Sequence, residues 1–280
     1  NDSDYVQSPS MRLLLVRPRL SVAAAAATAA AASASATAIA ASRPSPQDEA
    51  AAVRGLHGKV RDLVSGCADR ERGWERLAHI YGGAESCLGC FLRANLRKSH
   101  FDVPGTTERV SQTLVFRAKH RLDDISDPAG AIEAERCRPH WPFAYAEVAP
   151  DGSPVAYCRV SRLDVPCILH TFEEAEVLHF FALWCEHCLR IQGANIRAGA
   201  DCRGSYEVYD CKGVKWSQLL LDVKRHHETI SRVFEIGGLH YPETLHRCYV
   251  LNAPWSATLL WKLLTPLMGE HVQSKVSGRS

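Results

Sequence analysis

Residues 241–275 read YPETLHRCYVLNAPWSATLLWKLLTPLMGEHVQSK, and the fold turns on how this stretch is understood. A turn at Tyr241 to Glu243 leads into a short buried strand, predicted over Arg247 to Leu251. A helix is then predicted from Pro254 to Met268, apolar on nearly every side and carrying one charge, Lys262. A soluble protein seldom presents such a helix unless it is buried or covers something apolar. Pattern alone leaves two readings open, a central core helix or the lid of a lipid pocket.

Working back from this stretch, strands and helices alternate. Trp216 to Ile236 is predicted as one amphipathic helix ending at Gly237-Gly238, where glycine supplies C-cap chemistry. Tyr206 to Tyr209 reads as a strand closed by the turn Asp210-Cys211-Lys212-Gly213, Thr171 to Gln192 as a helix, and Pro154 to Val160 as a strand. Strands separated by helices of this length imply right-handed crossovers and a mainly parallel sheet, hence an α/β fold over residues 138–280. Residues 48–137 read as a small helical domain. Its helices are predicted from Asp48 as cap to Gly66, from Trp74 to Tyr81, from Glu85 to Lys98 and from Thr106 to Leu122.

Residues 1–47 stand apart. Ser21 to Ser42 is almost entirely Ala, Ser and Thr, and between Asp4 and Asp48 the charges are all arginine. That is the composition of an organellar transit peptide starting at Met11, or of alanine-rich low complexity with no address. Localisation follows the choice: cytoplasmic and peripheral to membranes, or plastid or mitochondrial if the leader is a targeting signal.

The 280 residues carry a formal net charge of +2, which gives no broad basic field for nucleic acid. Eleven cysteines, an odd number without a scaffold rhythm, point to a reducing compartment. Cys87/Cys90 and Cys185/Cys188 are two CxxC pairs, but they lie 95 residues apart inside helical patterns, so buried structural cysteines are expected and no metal site. His226-His227-Glu228 lacks an HExxH or GxSxG context, and the glycines of Gly193 to Gly204 do not form a phosphate loop. No nucleophilic triad emerges, so the expectation is a protein that is not an enzyme and uses no cofactor.

A lipid carrier must offset a large cost. Extracting a two-chain lipid exposes on the order of 30 methylenes, which at ~0.8 kcal/mol each is roughly 25 kcal/mol. Only a dry apolar cavity with a movable cover can do that, and the helix after Pro254 is suited to be the cover.

At this point the chain resembles a family. The run from YPE through NAP and Trp255 to PLM is similar to the signature of the CRAL-TRIO lipid-binding domain, found in secretory phosphatidylinositol/phosphatidylcholine transfer proteins. VYDCKGV, WPFAYAEVAPDGSPVAYCRVSRLDV and FLRANLRKSHFDV resemble further blocks of the family in the same order, so the likeness runs from about Glu85 to Lys275. The resemblance implies an N-terminal helical bundle and a sheet-floored pocket closed by a gate helix. Pro254, Trp255, Leu259, Leu260, Trp261, Leu263, Leu264 and Leu267 would form that gate and line the pocket. It further implies that Glu243 and Lys275 hold an inositol headgroup, an ammonium pairing with phosphate and a carboxylate accepting ring hydroxyls, with Arg97 or Lys98 at the family's basic position. The alternative for the pair is a glutamate in the first turn of a short helix and a solvated lysine. Val272 stands where phosphoinositide binders often carry threonine, and the family continues past Ser280 into another strand, so a pocket open on one side is expected. The ligand implied is phosphatidylinositol or phosphatidylcholine, exchanged at a membrane surface by a monomer. Another hydrophobe (tocopherol-, retinal- or sterol-like) or a membrane-recruitment module of a larger protein are the alternatives.

Overall fold

A computed structural model describes residues 44–97 and 100–279, so the leader up to residue 43 and Lys98 lie outside the described residues. Helix α1 (Pro46–Val64) opens with a reciprocal cap: Ser45 Oγ accepts from the Asp48 N–H at 3.2 Å, and the Asp48 carboxylate accepts from the Ser45 N–H at 2.9 Å. The cap is thus Ser45 rather than Asp48, because Pro46 needs no hydrogen bond at the first helical position. Helices α2 (Ala68–Ile80), α3 (Ala84–Ala94) and α4 (Val103–Lys119) follow. Helix α3 stops before the expected Lys98 because the chain turns into a small antiparallel pair, β1 (Leu96–Arg97) with β2 (His100–Phe101). Asp102 then caps α4 by accepting from the Gly105 N–H at 2.9 Å.

Five strands form the main sheet in chain order: β3 (Phe143–Val148), β4 (Pro154–Arg159), β5 (Ser205–Asp210), β6 (Leu245–Leu251) and β7 (Val276–Arg279). β3 pairs antiparallel with β4, and every other neighbour is parallel, which is the mainly parallel α/β sheet expected. β3 and β7 go beyond the predicted strands. Short helices α5 (Pro128–Ala134) and α6 (Val165–Thr171) flank β3 and β4, and α7 (Glu174–Arg197) crosses from β4 to β5.

The predicted helix Trp216 to Ile236 is two helices, α8 (Trp216–Arg225) and α9 (His227–His240), broken at His226 where φ is −109° and ψ 27°. α9 runs through Gly237-Gly238 instead of ending there. Arg109 supplies the reason: its guanidinium donates to the carbonyls of Leu239, at 2.8 Å, and Gly238, satisfying groups a C-cap would otherwise serve. The predicted helix Pro254 to Met268 is also shorter, α10 (Ala257–Leu264) followed by a 3-10 turn (Thr265–Leu267) and the single-turn α11 (Glu270–Gln273).

Helix α7 is the wall that two cores share. Ala182, Cys185 and Leu189 face the core built by α1 to α4, with Leu56, Leu77, Leu88, Phe91 and Val110. Val177, Phe180, Leu183 and Trp184 face the second core, with Phe143, Ala156 and Cys158 of the sheet. A helix apolar on two sides must be covered on both, and here the covering elements come from both ends of the chain. Gly193 lets the end of α2 press onto α7, since a Cβ there would collide with the Ile80 carbonyl.

One charged network crosses this wall. Arg117 of α4, 1 % exposed, forks onto the fully buried Glu186 of α7 and onto Asp123 at 2.7 Å. Tyr241 donates its hydroxyl to the same Glu186 at 3.1 Å. Removing one partner of a buried pair leaves the other uncompensated, so Arg117→Met should lower unfolding stability by about 3–5 kcal/mol. Urea denaturation of the variant beside wild type checks this; a loss below about 1 kcal/mol, the value of an exposed pair, would show the network to be peripheral.

Candidate functional site at the start of strands β6 and β7

The site follows from sheet geometry. Parallel neighbours start at the same edge of a sheet. Glu243 lies two residues before β6 and Lys275 one residue before β7, so pairing of Cys248 with Val276 brings together side chains that are 32 positions apart. Lys275 Nζ donates to Glu243 Oε2 at 3.0 Å and to the Leu245 carbonyl at 2.8 Å. Both charged side chains are 12 % exposed. Neither half of the alternative holds: Glu243 is not in a helical turn but at φ 61°, and Lys275 is enclosed and paired.

The neighbours of the YPE turn hold it in this unusual backbone. Tyr241 is pinned by Glu186, and the Pro242 carbonyl accepts from the Tyr81 hydroxyl at 3.2 Å. The Thr244 carbonyl accepts from the Ser205 N–H at 2.7 Å and from Gln192 Nε2 at 2.8 Å. A left-handed residue other than glycine or asparagine costs of order 1–3 kcal/mol and persists where its surroundings over-determine it. Here it aims the Glu243 carboxylate at β7.

His271, which the sequence reading did not single out, completes the cluster, its Nε2 lying 2.5 Å from Glu243 Oε1. The signal was available: His271 and Lys275 are four residues apart around a single helical turn. Arg93 and Cys90 of α3 also lie within electrostatic reach of Glu243. Burial pushes the Glu243 carboxyl up, but the hydrogen bond from His271 and the Lys275 ammonium outweigh it and hold the group at about 2. The result is a fixed carboxylate held by His271, Lys275 and the nearby Arg93, suited to a ligand carrying both an anion and hydroxyls.

Other predicted residues fall elsewhere. Arg97 is mostly exposed and pairs with Asp102 at 2.7 Å. It lines a separate open cleft of about 490 Å³ that also includes Arg109 and Leu267. Asn252 of the NAP motif stands at φ 55° and donates to Asp210 of the D-x-x-G turn at 2.8 Å, so these two motifs lock each other at the far ends of β5 and β6. Among the predicted gate residues, Pro254, Trp255, Leu259 and Trp261 are exposed, Trp255 at 83 %, and Leu260, Leu263, Leu264 and Leu267 are half-buried. No residue of α10 is buried, which overturns the core-helix reading. The helix lies at the surface against α8.

Glu207 on β5 is a second carboxyl the sequence reading missed. It accepts from the hydroxyls of Tyr209, at 2.9 Å, and Ser205, at 3.3 Å. Burial raises its carboxyl above the ordinary range against those two bonds, favouring the neutral acid. The CxxC cysteines are core residues: Cys87, Cys185 and Cys188 are buried, and burial pushes the Cys188 thiol up to about 12. His226 Nε2 lies 3.2 Å from His170 Nε2 at the break between α8 and α9. No helix among the described residues is long and apolar enough to cross a membrane.

Because folding depresses the Glu243 ionisation from the ordinary 4.5 to about 2, its contribution is full above about pH 5 and is lost as pH falls toward 2. Each unit is about 1.4 kcal/mol, so about 3 kcal/mol is at stake. Wild type's stability advantage over Glu243→Gln should therefore shrink from about pH 5 downward and vanish toward pH 2, measured by denaturant unfolding at each pH. A constant difference would show that Glu243 titrates normally.

Comparison with known proteins agrees with this architecture. Residues 140–278 match the family model described as CRAL/TRIO domain. The phosphatidylinositol/phosphatidylcholine transfer proteins SFH9 and SFH11 of Arabidopsis thaliana are 24% and 25% identical over 183 and 187 residues, covering 65% and 66% of this chain. Protein real-time of Aedes aegypti is 24% identical over 182 residues. The matched part spans only 31%, 49% and 27% of those three relatives' own lengths. In structure, the chain is similar to Sfh5, with a TM-score of 0.53 at 13% identity, over 81% of this chain and 80% of that one. The family match, the ordered motifs and the shared fold thus agree, and residues 140–278 are a CRAL/TRIO domain.

Proposed function

We propose that the chain is a non-enzymatic lipid carrier that takes up a phospholipid, phosphatidylinositol or phosphatidylcholine, and exchanges it at membranes. The observation that carries this reading is the enclosed Glu243–Lys275 pair with His271 beside it, in a chain whose surface helix α10 exposes tryptophan and leucine. The names of the Arabidopsis relatives support the ligand class. In this reading the lysine, with its remaining donor, turns to a headgroup phosphate and the glutamate accepts ring hydroxyls. Trp255, Leu259 and Trp261 meet the bilayer, and α10, held to α8 and the turn after it rather than to a core, swings away to admit the chains. A lipid tail entering where α10 stood replaces its half-buried leucines with further apolar surface.

Full-length protein should move labelled phosphatidylinositol between vesicles. Losing charge-assisted hydrogen bonds worth about 1.5–3 kcal/mol, the Glu243→Ala/Lys275→Ala variant should lose phosphatidylinositol transfer by about tenfold or more while still moving phosphatidylcholine. Equal transfer of both lipids by variant and wild type would favour an unrelated hydrophobe, and no transfer or retained lipid in wild type would remove the carrier reading.

The surface role of α10 is tested separately. Burial of a large apolar side chain is worth about 1.5–3 kcal/mol, so Trp255→Ala/Leu259→Ala should weaken vesicle binding by at least about tenfold. Unchanged co-sedimentation with vesicles would place the membrane contact elsewhere. Constitutive vesicle binding without exchange would instead identify a recruitment module.

A further inference from the structure

Well outside the Glu243 cluster, three side chains line up in the order of a nucleophile, a base and an orienting acid. Cys167 of α6 has its Sγ 3.5 Å from His140 Nε2. The other ring nitrogen of His140, Nδ1, lies 3.6 Å from Asp164 Oδ2, within ion-pair range though longer than a hydrogen bond. Thr171 Oγ1 adds a contact to the sulfur at 3.6 Å.

The backbone holds the three in place. The Asp164 N–H donates to the His140 carbonyl at 3.1 Å, fastening the turn that carries the histidine to the start of α6. The Cys167 N–H donates to Asp164 Oδ1 at 3.1 Å, so one carboxylate oxygen positions the cysteine and the other faces the imidazole. His140 also packs against the Phe172 ring, with centroids 5.8 Å apart.

The sulfur is reachable. Seven cysteines are buried and four, Cys67, Cys90, Cys167 and Cys202, are half-buried. Burial still pushes the Cys90 and Cys202 thiols up, which holds them in the unreactive protonated form. Cys167 is half-buried with a base at its sulfur, and His140 and Asp164 are 32% and 51% exposed at their side chains. In the tautomer that places Nδ1–H toward Asp164, Nε2 is the acceptor for the thiol proton.

We infer that Cys167 is a thiol–disulfide exchange site for small-molecule disulfides, with His140 as its base and Asp164 as a positioning residue. In the exchange the Cys167 proton passes to His140 Nε2 and the thiolate attacks one sulfur of the disulfide. A new S–S bond forms as the old one breaks, and the departing sulfur leaves with the electron pair and takes the proton from His140. The adduct would sit on α6, which packs against α8, the helix that also supports α10. Nothing in the step draws on the lipid reading.

The test uses the full chain at pH 7 with oxidised glutathione as the probe, following each cysteine's mixed disulfide over time by peptide mass spectrometry. Cys67, half-buried as well, is the internal reference. With the His140 base at its sulfur, Cys167 should react about tenfold faster than Cys67. His140→Gln should bring it down to the reference rate. Asp164→Asn keeps a capping oxygen and removes the charge, so it should slow Cys167 with the fold intact by circular dichroism. Equal rates for Cys167 and Cys67 in wild type, or a His140→Gln variant as fast as wild type, would overturn the assignment. So would stoichiometric zinc in the purified protein that blocks the reaction until a chelator is added, which would make the trio a metal site.

Discussion

The interaction on which the rest depends is the fork of Arg117 onto Glu186 inside the wall formed by α7. Two charges taken out of water stabilise a fold only when each finds its partners, and here the arginine serves two carboxylates while Glu186 also accepts from Tyr241. Each of these groups comes from a different part of the chain: the helical bundle, the crossover helix and the turn before β6. The network therefore sets where the YPE turn lies relative to the bundle. From that placement follows the left-handed Glu243, and from parallel pairing of β6 with β7 follows the lysine that meets it. The Glu243–Lys275 pair is in this sense a consequence of a structural ion pair on the opposite side of the same turn.

Much of this was legible in the residues, for reasons that can be named. The parallel sheet was announced by short apolar strands spaced by long amphipathic stretches, and the YPE, NAP and D-x-x-G blocks announced how its ends are tied. Asn252 reaching Asp210 shows what two of those motifs do for each other. What failed were boundaries governed by distant partners. The passage of α9 through Gly237-Gly238 depends on Arg109, 130 positions from the carbonyl it caps at Leu239, and no local pattern carries that. The overlong estimate for the helix after NAP has a similar origin, since an unbroken apolar run says nothing about where a 3-10 turn interrupts it.

The site residues divide along the same line. Glu243 and Lys275 were found through motif position and meet in space. Arg97 was placed by the same route and pairs instead with Asp102, because the small hairpin after α3 turns it aside. His271 escaped because its partner Glu243 lies 28 positions away, and Glu207 because only the assembled sheet buries it. A histidine in a short helix and a glutamate in a strand look solvated until the sheet is assembled around them.

The Glu243–Lys275 contact also has a bearing on how the molecule is made. The two residues belong to the starts of β6 and β7, with the whole of α10 threaded between them, so the contact has high contact order and closes a long loop. During vectorial synthesis the YPE turn emerges first and is already held by Glu186, while Lys275 arrives only with the strand at the sheet's edge. The Glu243–Lys275 contact is thus completed only when β7 joins the sheet, after the apolar helix has been laid over the surface. A nascent chain passes through a stage in which the apolar helix is in place while Glu243 still lacks its lysine.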